Sequence, residues 1–236
     1  MSYILQSAGF GAGEVAALLH GRVGADMLTL GVSLLVNSQA DTNRNKFVEV
    51  ASSLKNEYGL QGSEYVRIVH AYLWGLVPQQ ELGQEQYLIG NGGLYPILHT
   101  VFGLSEKDAA IAVQPVYRTS ASQYKTNMLQ YLWQYYGIID TKTKISVMIE
   151  AGYTFDEVID YFRSEDWLSF VIALKDLNYS AEAAAVILRK LTADEITAAN
   201  DLIQAGYGSC GDLIPVIQVL AQVYGIKNPS YLQMIF

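Results

Sequence analysis

Nucleotide chemistry is the first possibility the chain presents. Gly9, Gly11 and Gly13 follow the apolar Tyr3-Ile4-Leu5, and glycines so placed between a strand and a helix let backbone N–H groups approach a pyrophosphate. The pattern departs from that motif at its third glycine, because Glu14 stands there. A carboxylate at a helix start repels phosphate, and no βαβ pattern follows. The glycines are read as the start of a helix, and no cofactor is expected.

Metal and nucleophile chemistry fare no better. The three histidines, His20, His70 and His99, lack the i, i+4 spacing that puts two ligands on one helix face. His70 lies among apolar residues and reads as a hydrogen-bonded core histidine. Glu150, Asp156, Glu157, Asp160, Glu165 and Asp166 form the densest acidic run. The order of ligands in a calcium loop is absent from it, and acids in a first turn are favoured by the helix dipole. The single cysteine, Cys210, sits near a helix start, where a thiol pKa can be lowered, with no histidine beside it in sequence. Neither a catalytic residue nor a metal ligand is assigned. The one constellation with functional promise is aromatic: Tyr124, Tyr131, Trp133, Tyr135 and Tyr136 occupy more than one face of a single helix. Tyrosine and tryptophan bury much area while keeping a polar tip, so these five are the candidate interface residues.

The elements that position these residues are helices. Aromatic-Gly-aliphatic triplets end at Leu60, Leu104, Ile138 and Ile226, and Ala-Gly-aromatic triplets at Phe10, Tyr153 and Tyr207. Glycine just past a helix adopts the left-handed conformation, and the apolar residue after it folds back on the last turn. Helix starts follow closely. Thr154-x-x-Glu157 and Thr192-x-x-Glu195 are capping boxes, and Ser105-x-x-Asp108 and Ser209-x-x-Asp212 are acidic variants of them. Tyr153 before Thr154 is placed to meet Val158, and Leu191 before Thr192 to meet Ile196, as hydrophobic staples. Phe47, Val50, Ala51, Leu54 and Tyr58 mark one helical stripe, and residues 65–77 are apolar nearly all round, as in a helix packed on both sides. Convincing strand alternation is absent.

Tyr153, Tyr179 and Tyr207 head equivalent segments 26 and 28 residues apart, each long enough for two short helices. AGYTFDEVIDYF, NYSAEAAAVIL and FGLSEKDAAIAV together resemble tandem α-helical repeats of bacterial proteins in which aromatic-Gly-Leu-Ser and Ala-Gly-Tyr-Ser alternate. The resemblance spans roughly residues 102–118 and 140–226 and implies stacked helical hairpins. It carries no catalytic residues. The fold expected is therefore all-α, with stacked short hairpins in a solenoid-like or compact helical array. It forms a single domain over residues 1–236, irregular in 1–139 and more regular in 140–236. A Gln- and Gly-rich loop insertion over 78–96, with a short helix near 81–88, interrupts the first part.

Composition narrows the partners. Hydrophobic residues make up 51% of the 236 residues and charged residues 16%, against about a quarter charged in ordinary soluble proteins. That apolar surplus suits contact with another protein, with copies of the chain or with an apolar ligand. No run approaches the ~20 apolar residues of a spanning helix, the best being Met27 to Val36, so a membrane enters only after a conformational change. No secretory signal is visible, which makes the cytoplasm the default. The net charge of −8, with no basic cluster, argues against nucleic acid. The chain reads as an acidic, tyrosine-rich, non-enzymatic protein for protein–protein interaction or self-assembly, the alternative being an apolar-ligand-binding or membrane-inserting helical protein.

Overall fold

Left-handed residues decide where the helices stop. All seven glycines of the triplets have positive φ, from 68° at Gly59 to 94° at Gly9, and Asn178 joins them at 64°. After six of these residues the next N–H reaches the carbonyl five positions back, as Tyr153 does to Met148, Tyr179 to Leu174 and Tyr207 to Leu202. That bond satisfies a carbonyl the helix end would leave bare. Asn178 stands where the other copies have glycine, and its short polar side chain tolerates the same conformation.

The structure, a computed structural model, describes residues 2–20, 27–37, 44–76, 93–120, 122–163, 166–191, 194–208 and 214–226. Among the described residues there are fourteen helices and no strand. They are α1 (Ser2–Ser7), α2 (Ala12–Leu19), α3 (Met27–Asn37), α4 (Arg44–Tyr58), α5 (Gly62–Leu76), α6 (Leu94–Thr100) and α7 (Glu106–Thr119). After these come α8 (Ser122–Tyr136), α9 (Thr141–Glu150), α10 (Phe155–Phe162), α11 (Trp167–Asp176), α12 (Ala181–Lys190), α13 (Glu195–Gln204) and α14 (Ile214–Tyr224). The chain is all-α, as its punctuation predicts.

Two helix starts form as the sequence predicts. The Glu157 N–H donates to Thr154 Oγ1 at 3.2 Å, while Glu157 Oε2 accepts from the Thr154 N–H at 2.6 Å. Ser105 Oγ accepts from the Asp108 N–H at 3.2 Å and donates to its carboxylate at 2.8 Å. Tyr153 and Val158 are both buried, as a staple requires. The Thr192 box needs correction. Helix α13 begins at Glu195 behind Asp194, whose Oδ1 accepts from the N–H groups of Ile196 and Thr197. Asp is as strong a cap as Thr and lies next to the helix. Thr192 is outside the described residues, as are Ser209, Cys210 and Asp212.

The contacts divide the chain into two compact units, Met1–Ile138 with Glu150–Gly152, and Ile139–Ile149 with Tyr153–Phe236. One domain over 1–236 is the sequence expectation; two units is the arrangement found. In the first unit each helix packs on its second-next neighbour: α1 on α3, α2 on α4, α3 on α5, α4 on α6, α5 on α7 and α6 on α8. The second unit repeats the rule with α11 on α13 and α12 on α14. Cations fix the direction of these pairs. Lys55 Nζ, late in α4, donates to the Val101 carbonyl at the end of α6 at 2.5 Å. Lys175 at the end of α11 donates to the Gly206 carbonyl past α13, and Arg189 at the end of α12 donates to the Val223 carbonyl in α14. C-terminal ends therefore lie side by side, so the paired helices run parallel and each cation meets the negative end of a helix dipole. The predicted stripe of α4 is buried at Phe47, Val50, Ala51 and Leu54.

The predicted loop over 78–96 ends earlier than its composition suggests. Residues 77–92 are outside the described residues, but Leu94, Tyr95 and Pro96 form the buried first turn of α6. Proline is tolerated there because the first N–H groups of a helix have no internal partner.

Two tests follow from the helix ends. Gly152 has φ +84°, and a Cβ there lies 3.2 Å from Gln114 Nε2. Gly152→Ala is expected to cost about 1 kcal/mol through the left-handed backbone, read as a shift of the urea midpoint with unchanged slope. The second test is acid. Backbone hydrogen bonds from Thr143 and Thr197 lower the carboxyl pKa of Asp140 and Asp194, and the Ser169 hydroxyl lowers that of Asp166, all below the ordinary 3.8. The unfolded chain then takes up these protons first, so their stabilisation is present above the ordinary value and is lost as pH falls through the folded values. Asp201, raised by burial and then by the charge of Asp166, works in the opposite direction. With three caps against one buried acid, denaturant melts of the full chain should show stability falling between about pH 5 and about pH 2. Asp194→Asn keeps a good cap without a titrating group and should flatten part of that slope; an unchanged slope would remove Asp194 from the account.

Candidate functional site

The glycine-rich start holds carboxylates where a nucleotide would put phosphate. Helix α1, not a strand, precedes it. Glu14 Oε2 accepts from the Gly11 N–H at 2.9 Å, and Glu49 Oε1 from the Ala12 N–H at 3.0 Å. Two negative groups therefore occupy the donors that a pyrophosphate would use.

The histidines are dispersed among aromatic and polar neighbours. The His20 ring lies 5.0 Å from Tyr58, and the His99 ring 6.0 and 5.9 Å from Tyr135 and Tyr136. His70 Nε2 is 3.4 Å from Ser120 Oγ, and burial lowers its imidazole pKa. Among the described residues no three of His, Cys, Asp and Glu converge to hold a metal ion. The acidic run is spoken for residue by residue. Glu150 pairs with Lys107 at 2.9 Å, Asp156 with Lys190 at 2.5 Å and Asp160 with Arg163 at 2.9 Å. Glu157 and Asp166 cap helix starts; Glu165 is outside the described residues.

The aromatic helix α8 is less outward-facing than its sequence implies, at Trp133 above all. Trp133 is only 3% exposed and belongs to the core. Tyr136 is half-buried; its hydroxyl donates to the Leu104 carbonyl at 3.0 Å, and burial raises its phenol pKa. Its ring meets Tyr135 edge-on at 5.0 Å. Tyr131 and Tyr135 are half-buried. The side chain of Tyr124 is outside the described residues. The reason is the pairing of α8 with α6, which places His99 and Leu104 against the end of the aromatic helix.

A groove in the second unit is the feature the sequence reading missed. Helix α12 presents Glu182, Ala183, Val186, Ile187 and Lys190 along one stripe, facing Phe155 and Ile159 of α10, with a volume of about 430 Å³ between them. The Phe155 ring meets Tyr179, before α12, at 5.3 Å, and Asp156 meets Lys190 at the other end of α12. One turn of α10 thus reaches both ends of α12. The left-handed Asn178 and the Thr154 capping box aim the two aromatic rings at each other. Val186 remains 43% exposed on the groove wall. Its signal in the sequence is an apolar residue outside the buried stripe of Ala184, Ala185, Ile187 and Leu188.

The groove is lined mainly by apolar side chains. Its charged lining groups are Glu182 and Lys190, and Lys190 is already matched by Asp156. Comparison with protein-family models, curated proteins and solved structures finds no match for the chain. Among the described residues no helix is long and apolar enough to cross a membrane.

Proposed function

We propose that the chain is a non-enzymatic interaction protein, a stack of α-helical repeats that binds another protein or further copies of itself. The observation that carries this reading is the α10–α12 groove, an apolar cleft in a unit where α11 packs on α13 and α12 on α14. Exposed apolar surface of this kind in a protein with few charges marks a contact site. The half-buried tyrosines at the end of α8 are a secondary contact surface.

The groove's volume of about 430 Å³ also lies in the range of small-molecule sites, which supports a second reading, the binding of an apolar ligand. Sedimentation velocity across a concentration series, for the natural chain and for Val186→Arg, separates the two when paired with native mass spectrometry. A concentration-dependent assembly that Val186→Arg dissolves is the expected result. A monomer that co-purifies with an apolar molecule, lost in the same variant, would replace the interaction reading with the ligand one.

A further inference from the structure

We infer that the groove takes an amphipathic helix of a partner protein, about three turns long, with a basic residue beside its apolar face. This rests on the interaction reading above and names the occupant. Length comes from α12, whose ten residues span ~15 Å at 1.5 Å per residue. Apolar anchors at i, i+3 or i+4, i+7, and i+10 or i+11 on a docked helix cover that distance.

The helical form follows from the walls. The apolar lining residues Phe155, Ile159, Val186 and Ile187 carry no hydrogen-bonding groups, the polar ones being Tyr179, Ser180, Glu182 and Lys190, and the described structure has no strand edge to pair with a peptide. An extended segment laid there would bury backbone N–H and C=O groups without partners, whereas a helix satisfies its own. Charge sets the flank. Lys190 and Asp156 neutralise each other at one end of the groove. At the other, Glu182 has no cation partner among the described residues and meets only the Gln222 amide at 3.5 Å. A lysine or arginine on the incoming helix completes that end, and the chain's net charge of −8 favours encounter with a cationic partner.

The probes are two labelled, helix-stapled peptides of about 15 residues with the same leucine face, one carrying lysines on its flank and the other glutamates. Fluorescence anisotropy with the full chain should show the lysine peptide binding at least tenfold more tightly. Val186→Arg should weaken it by more than tenfold, with circular dichroism confirming unchanged helicity. Glu182→Lys, on the exposed rim, should reverse the preference between the peptides. Equal affinity for both peptides, or a preference that Glu182→Lys leaves intact, would overturn the basic flank. If neither peptide binds while Val186→Arg still dissolves the protein's own assembly, the groove is an interaction surface and the occupant named here is wrong. If Val186→Arg alters neither peptide binding nor assembly, the interaction reading falls with it.

Discussion

Trp133→Ala is expected to cost about 3–5 kcal/mol of stability, the range for removing a large aromatic side chain from a packed core. Trp133 lies beside the buried Met128, Leu129 and Leu132 of α8, and the space it vacates cannot close without moving that helix. Equilibrium urea unfolding measures the loss directly. The sign of the functional effect is equally informative. An interface anchor weakens association while leaving the monomer's stability largely unchanged, whereas Trp133, sealed in its own chain, should do the reverse. Stability unchanged in Trp133→Ala, with association weakened more than tenfold, would restore the aromatic helix as the contact surface.

Gly31→Val should destabilise the first unit by about 2–3 kcal/mol, through overpacking. Helices α3 and α5 approach closely at this position: a Cβ on Gly31 lies 2.5 Å from Ile68 Cδ1 and 2.8 Å from its Cγ2. Ile68 is itself 1% exposed, so it has no open space into which to retreat. The backbone at Gly31 needs no special conformation, and the constraint is the neighbour. Shortening that neighbour therefore supplies the check. In a double-mutant cycle, Ile68→Ala should recover part of the Gly31→Val loss, a coupling of the kind expected of residues in contact. Additive losses in the thermal midpoints would show that the helices separate without strain.

The difference between these two positions reflects how far local rules reach. Gly152 and Gly206 were legible because a left-handed residue followed by an aromatic is a local requirement, met by four or five consecutive residues. Gly31 carries no such mark, since the atom that forbids its side chain comes from a helix some 35 residues away. The burial of Trp133 is not legible in the sequence for a related reason. Five aromatics on several faces of one helix indicate that not all can point into a single seam, but which ones are covered depends on the helix laid beside them. Pro96 closes a Gln- and Gly-rich stretch whose composition reads as loop, and it sits in a first helical turn whose N–H groups need no partner.

By itself the sequence determined the class of structure, the stops at left-handed residues and two of the capped starts, because these follow from backbone sterics and hydrogen bonds within a few residues. It also determined that a carboxylate, Glu14, sits where the first glycine cluster would need phosphate, since that residue belongs to the turn itself; the second, Glu49, came from the tertiary structure. Tertiary structure alone decided the division into two units, the parallel pairing of second-next helices and the burial of Trp133. It alone decided the groove as well. Phe155, Tyr179 and Val186 look like ordinary apolar residues in the chain, and they line a cleft only because the fold brings the start of α10 to both ends of α12. That meeting is a property of the pair, which neither helix carries in its own residues.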